Sequence, residues 1–94
     1  MPPIRALVIH PDDDVAVLVE AASAGDTVEA QCGASTVTLT ARQAIPTGHK
    51  VALRDLAAGS PLRKYGEKIG LALQDIRAGE HVHLHNLAGD RVKV

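Results

Sequence analysis

Three histidines alternate with other residues in the segment Gly79–Asn86, at positions 81, 83 and 85. If this segment is a strand, as its alternating apolar residues indicate, the three imidazoles project from one face. Same-face residues lie roughly 6.5–7 Å apart along a strand, so two neighbouring imidazoles can bind one divalent metal ion. We therefore predict a metal site at His83 and His85, with His49 or a carboxylate as a third ligand. The alternative is that the histidines are ordinary polar residues on the solvent face of the strand.

Two glycine-containing segments in the second half of the chain carry cationic side chains, Thr47–Lys50 and Arg63–Lys68. Glycine lets backbone amides approach a bound anion closely, so we predict that Gly48 and Gly66 lie against a substrate anion. The side chains predicted to bind or protonate a carboxylated substrate there are His49, Lys50, Lys64 and Tyr65. The chain has a single tyrosine and neither Phe nor Trp, so the alternative is that this ring is a packing anchor.

The elements that would position these residues have a period of two, which is typical of strands. The segments 36–40 and 50–54 alternate cleanly, and 15–19 is apolar on both faces, as in a strand covered on both sides. The inward-facing residues expected from the alternation are Val51, Leu53, Ile69, Leu71, Leu73, Val82 and Leu84. No stretch has an apolar stripe long enough for a stable amphipathic helix, so we predict an all-β domain.

A repeated element, a strand followed by an Ala-Gly turn and a second strand, occurs around Gly25, Gly59 and Gly79. Glycine adopts the positive φ that such a turn needs without steric cost. Asp55 and Asp75 lie four residues before two of these glycines. They are predicted to stabilise the turns through bonds from side chain to backbone rather than to act in catalysis.

The charge of the chain is unevenly distributed. The 94 residues carry a net charge of −1, which argues against a nucleic-acid partner bound through phosphate contacts. Residues 1–48 have a net charge of −4, whereas residues 49–94 have a net charge of +3 and four of the five histidines. The second half is therefore predicted to meet an anionic ligand or an acidic partner surface. The alternative is that charged residues are unevenly distributed over the surface without a function.

The acidic segment 10–14 is predicted to be a turn that protects a strand edge, with metal binding as the minor alternative.

The length and the apolar content limit the domain organisation and the compartment. A chain of 94 residues has room for one domain, here residues 1–94, with a core of Ala, Val, Leu and Ile. The single Cys32 cannot form an internal disulfide, and the first residues lack the pattern of a secretory signal. The longest apolar run, 15–19, is far shorter than the ~20 residues that cross a bilayer. We expect a soluble, cytoplasmic protein with no membrane partner.

Several motifs in the second half of the chain occur in the order found in one family. They are Ile45-Pro46-Thr47-Gly48-His49-Lys50-Val51-Ala52-Leu53, Lys64-Tyr65-Gly66, Ile69-Gly70 and Asp75-Ile76-x-Ala78-Gly79-Glu80-His81-Val82-His83-x-His85-Asn86-Leu87. With the opening His10-Pro11-x-Asp13-Asp14-Val15-Ala16, they resemble the SAF domain of the altronate and galactarate dehydratase family. The resemblance covers most of residues 9–29 and 45–88.

The resemblance implies a β-clip fold of bent hairpins. It also implies a small subunit or accessory domain that works with a separate large catalytic chain and is inactive alone. Such a lyase removes water, or sulfite, from a sugar acid or 2-hydroxy acid such as altronate or galactarate. The metal implied is divalent, ferrous iron or another ion, held mainly by the large chain. Asn86 is then expected to bind the substrate beside the catalytic His49, Lys50, Lys64 and Tyr65.

Two other functions stay open on the sequence. The same cationic half and histidines suit a stand-alone module that binds a carboxylated sugar or a metal ion without catalysis. A structural domain that only holds subunits together is the third possibility, and a homo-oligomer is compatible with so short a chain.

Overall fold

The structure is a computed structural model that describes residues 2–89, and it contains nine strands and no helix within that range. The strands are β1 (Ile4–Leu7), β2 (Val15–Leu18), β3 (Thr27–Cys32), β4 (Ser35–Thr40), β5 (Lys50–Ala52), β6 (Pro61–Lys64), β7 (Glu67–Ala72), β8 (His81–Val82) and β9 (Leu87–Gly89). The prediction of an all-β domain is confirmed. Nothing helical among these residues is long and apolar enough to cross a membrane.

Two sheets make up the fold. The larger has the strand order β4-β3-β1-β2-β5-β8, and the smaller has the order β6-β7-β9. β1 pairs with β3 in parallel, and the other strand pairs are antiparallel. The short pairing of β5 with β8 is the one that matters for function, because it aligns Lys50 with Val82 and Val51 with His81.

Four turns of one conformation connect the strands, at residues 23–26, 46–49, 57–60 and 77–80. In each, the N–H of the fourth residue donates to the carbonyl of the first at 3.0–3.1 Å. The third residue is a glycine with φ between 79° and 92°, as in a type II turn. The turn at Gly48 is a fourth copy that the Ala-Gly pattern missed, because Thr47 stands where the other three copies have alanine.

The turns are joined in pairs by short backbone bridges. Leu56 and Ile76 exchange both of their backbone hydrogen bonds, at 2.7 and 2.8 Å. Asp55 accepts the N–H of Ala78, and Asp75 accepts the N–H of Ala58, each at 2.9 Å. The turn role predicted for the two aspartates is therefore confirmed, with the correction that each carboxylate binds the other's turn rather than its own.

The core consists of small aliphatic side chains, as the composition predicts. One cluster lies under the large sheet and includes Leu18, Val28 and Ile45. A second cluster lies between the small sheet and the β5–β8 end and includes Leu62 and Ile76. All fully buried apolar residues are Ala, Val, Leu or Ile.

Three of the expected inward-facing residues are exposed. Leu71 and Leu73 point to solvent, and the buried face of β7 is formed instead by Gly70 and Ala72. A side chain at Gly70 would clash with the carbonyl of Ala88 on β9, so no larger residue fits at this position. Leu84 is 64% exposed because β8 has already ended at Val82.

Candidate functional site

The histidine segment is a strand of two residues followed by a turn, so the predicted strand over Gly79–Asn86 is wrong in its second half. The cause is Asn86, which is 2% exposed. Its Oδ1 accepts the N–H of His83 at 2.9 Å, and its Nδ2 donates to the carbonyl of His81 at 2.8 Å. Both ends of this amide therefore hold the chain in the turn. The substrate-binding role of Asn86 stays a prediction.

The turn nevertheless brings the imidazoles together. His49 precedes β5, and the pairing of β5 with β8 places its Nδ1 2.9 Å from Nε2 of His81. The ring of His83 stacks on that of His49 with centroids 4.6 Å apart, and on that of His81 at 5.4 Å. One ligand nitrogen from each of these residues lies within 4.8 Å of the others. We call His49, His81 and His83 the histidine cluster.

His85 lies at the border of the cluster. Its ring centroid is 5.4 Å from that of His81. The three nitrogens that come within 4.8 Å of one another belong to His49, His81 and His83. The geometry thus groups His83 with His81 and His49, the third ligand that the sequence analysis named, and a role for His85 as metal ligand stays a prediction.

Two lysines extend the cluster into a larger cationic surface, the basic face, made of the histidine cluster with Lys50 and Lys64. Partial burial lowers the pKa of Lys50, and the nearby charge of Lys64 lowers it further. Burial lowers the pKa of His81, and repulsion from the other imidazoles and Lys50 adds to it. Loss of hydration among the crowded rings, followed by the charges of His49, Lys50 and His85, lowers the pKa of His83. The lowered pKa values of His81 and His83 favour the neutral imidazole, which is the form that binds metal ions.

No carboxylate forms an ion pair with this surface within the described chain. The ion pairs found in residues 2–89 join Arg54 to Asp14 at 3.3 Å and His10 to Asp12 at 3.9 Å, and neither includes the basic face. The cations on that face are therefore available to an anion from outside the chain.

The glycines predicted to receive a substrate anion have their amides occupied. The N–H of Gly48 donates to the carbonyl of Leu18 at 2.9 Å, and the N–H of Gly66 donates to Oδ1 of Asp13 at 2.7 Å. The carboxylate bound at Gly66 is thus the protein's own. The N–H groups of these two glycines are therefore used within the protein, and a substrate role for Gly48 and Gly66 stays a prediction.

Tyr65 lies at the tip of the β6–β7 hairpin. It has a φ of 57° and Gly66 a φ of 77°, the pattern of a two-residue type I′ turn. The Tyr65 ring is 55% exposed, and Nζ of Lys64 lies 4.6 Å from its centroid. An exposed ring is not a packing anchor of the core, so the hydroxyl is free to meet a ligand or a partner surface.

The acidic segment holds the hairpin in place. Asp13 is 2% and Asp14 8% exposed, although both are charged residues in a predicted surface turn. Asp13 accepts the N–H of Gly66, while Asp14 accepts the N–H of Arg63 at 2.8 Å. This clamp between β2 and the β6–β7 hairpin was missed by the sequence analysis, because its partners are about 50 residues away.

Fold and site together define a small all-β domain with a cationic, histidine-rich face. The chain belongs to the family of altronate/galactarate dehydratase SAF domains, whose family model matches residues 4–90. The resemblance seen in the motifs is thereby confirmed, and the curled sheets agree with a small SAF-type β domain.

Relatives of two kinds are similar to the chain. It is 49% identical over 78 residues to altronate dehydratase of Escherichia coli, which covers 83% of this chain and 15% of that enzyme. It is 36% identical to altronate dehydratase of Bacillus subtilis, with the same coverage. It is 42% identical over 88 residues to (2R)-sulfolactate sulfo-lyase subunit alpha of Chromohalobacter salexigens, which covers 89% of this chain and 94% of that subunit. The chain thus matches a small part of the dehydratases and nearly the whole of a sulfo-lyase subunit.

Proposed function

We propose that the chain is a small subunit or accessory domain of a cytoplasmic lyase that acts on a sugar acid or 2-hydroxy acid together with a separate large catalytic chain. The observation that best supports this proposal is the basic face, on which His49, Lys50 and Lys64 form no ion pair with a carboxylate in residues 2–89. A relative of nearly the same extent is named as one subunit of a lyase, which supports the two-chain arrangement.

The chemistry of such an elimination explains what the basic face contributes. Removing the proton next to a carboxylate builds negative charge on the carboxylate, and nearby cations stabilise that charge. Lys50 and Lys64 lie close enough to repel each other, so a bound carboxylate relieves a repulsion that exists in the free chain. This face is proposed to attract the substrate anion and to cover the active site of the large chain.

Proton transfer to the leaving group is the second task. A leaving hydroxide must gain a proton or a metal contact as it departs, whereas sulfite is stable as an anion and is assisted by nearby cations. Lys50, whose pKa is lowered, and the exposed Tyr65 hydroxyl are the candidates on this chain. The divalent metal expected for the family, ferrous iron or another ion, is proposed to be held mainly by the large chain and to stabilise the developing charge there.

Reconstitution tests the proposal. The chain and a large dehydratase-type chain from the same genome would be purified separately and mixed, with altronate, galactarate and sulfolactate as candidate substrates. We expect elimination only in the mixture, and a loss of at least about tenfold in kcat/KM for Lys50→Gln. Arg77→Gln, which removes an exposed charge outside the basic face, is the matched control and should retain activity.

Two results would contradict the proposal. Full activity of the large chain alone would show that this chain is dispensable, and equal turnover of the Lys50→Gln and Arg77→Gln mixtures would remove the basic face from the reaction. Binding of an aldarate by the chain alone, without association with a large chain, would instead favour the stand-alone binding module.

A further inference from the structure

We propose that His49, His81 and His83 form a binding site for a late first-row divalent metal ion on this chain itself. The site goes beyond the proposed function, in which the metal belongs mainly to the large chain. It needs no partner, because the residues come from β8, the turn after it and the residue before β5.

The spacing of two donors already fits a metal ion. Two nitrogens that each lie about 2.1 Å from a metal are about 3.0 Å apart at a right angle and about 3.4 Å apart in a tetrahedron. Nδ1 of His49 and Nε2 of His81 are 2.9 Å apart, close to the right-angled value. A metal ion bound by both nitrogens would replace the hydrogen bond that joins them in the free chain. His83, which is exposed, offers a nitrogen within 4.8 Å of one nitrogen of each of the other two, so a side-chain rotation would bring it into the same coordination sphere.

The ligands are held by the fold and not by chance contact. Gln43 accepts the N–H of His81 through Oε1 at 3.0 Å, and Asn86 fixes the backbone at both His81 and His83. The β5–β8 register fixes His49 relative to His81. Because the backbone is fixed before any ligand arrives, little ordering entropy opposes metal binding.

The donor set indicates which metal ions would bind. Three imidazoles without a carboxylate favour Zn²⁺, Ni²⁺, Co²⁺ and Cu²⁺, whereas Mg²⁺ and Ca²⁺ require oxygen ligands. Three protein ligands also leave coordination positions open on the exposed side of His83. If the proposed function holds, a 2-hydroxy carboxylate can chelate the ion there, with Lys50 beside its carboxylate.

The test uses the 94-residue chain without an affinity tag. Isothermal titration with Zn²⁺ and Ni²⁺, and absorption spectroscopy with Co²⁺, would measure affinity and geometry. We expect one ion per chain. His49→Ala and His81→Ala should each weaken binding by about 10- to 100-fold, and His83→Ala should weaken it as well. His10→Ala, a histidine outside the cluster, is the matched control and should bind like the wild type.

Each outcome supports or overturns the proposed metal site. Thermal melting without metal shows whether the variants are folded, so lost binding cannot be mistaken for lost structure. Absence of binding by the wild type, or equal effects of His10→Ala and His81→Ala, would overturn the site. Loss of binding in His85→Ala with retention in His83→Ala would overturn the assignment of the ligands. A chain that binds no metal but still activates the large chain would refute this site and leave the proposed function standing.

Discussion

Asp13 and Asp14 come just before β2, in the same sheet as β5 and β8, which carry Lys50 and His81. The charges of the two regions have opposite surroundings. The two carboxylates are buried and bound by backbone N–H groups, and Asp14 also by Arg54. The cations of the basic face adjoin other cations instead, and their pKa values are lowered. The acidic region is therefore expected to stabilise the fold, whereas charge on the basic face is expected to oppose it.

The largest expected effect is on the acidic side of this comparison. Asp13→Ala removes the acceptor of the Gly66 N–H and leaves a half-buried donor without a partner, and Asp14→Ala does the same at Arg63. Bonds to a charged group are worth about 1.5–3 kcal/mol, so each variant should lose about that much unfolding free energy. Urea denaturation measures this loss. Asp12→Ala, an exposed neighbour, should change stability by less than about 0.5 kcal/mol.

The next effect tests whether the histidine turn depends on its buried amide. Asn86→Ala removes the acceptor of the His83 N–H and the donor to the His81 carbonyl, so it should cost about 1–3 kcal/mol. If the turn positions the imidazoles, the Asn86→Ala chain should also bind Co²⁺ more weakly than the wild type. Asn86→Asp keeps the acceptor of the His83 N–H. Its unfolding free energy and its Co²⁺ affinity should therefore lie between those of the wild type and those of Asn86→Ala. A stable Asn86→Ala chain with unchanged Co²⁺ affinity would show that the turn does not position the ligands.

These regions also differ in how far the sequence predicted them. The period of two predicted the all-β class, because alternation is a local property of a strand. The positions of Asp55 and Asp75 before the glycines predicted their turn role, but not that each carboxylate binds the other's turn. The end of β8 at Val82 could not be predicted, because it depends on what the Asn86 side chain binds. The fourth turn could have been found from a local signal: Ile45 stands three residues before Gly48, as Ile76 does before Gly79.

Pairing between distant segments explains the rest of what was missed. The participation of His81 in the cluster depends on the register of β5 with β8, and the burial of Asp13 depends on Gly66. Neither pairing leaves a periodic signal in the sequence, because nothing local fixes which strand lies beside which. The reversed faces of β7 have a similar origin, in the close approach of β9 to Gly70.

A smaller effect of opposite sign is expected on the basic side. Lys50→Met keeps the aliphatic stem and removes a charge that burial and Lys64 disfavour, so stability should rise by a few tenths of a kcal/mol. In the wild type, the lowered pKa means that the unfolded chain binds more protons than the folded chain just below pH 10.5, so stability should rise with pH in that window. The variant should lack this rise, as urea denaturation between pH 8 and 10.5 would show. A lower unfolding free energy for Lys50→Met would mean that the Lys50 charge stabilises the fold. The basic face would then not differ from the acidic region in its effect on stability.

The smallest effect concerns acid. The folded pKa values of His81 and His83 are lowered, while the unfolded chain has ordinary histidines near 6.5. Between the lowered values and 6.5, the unfolded chain binds more protons, so stability should decrease as pH falls through 6.5 and level off below the folded pKa values. The double variant His81→Gln/His83→Gln should show a shallower decrease in urea midpoints between pH 7 and 5. Stability that increases on acidification would mean that a carboxylate outside the described residues meets the imidazoles, and the basic face would then be neutralised within the chain itself.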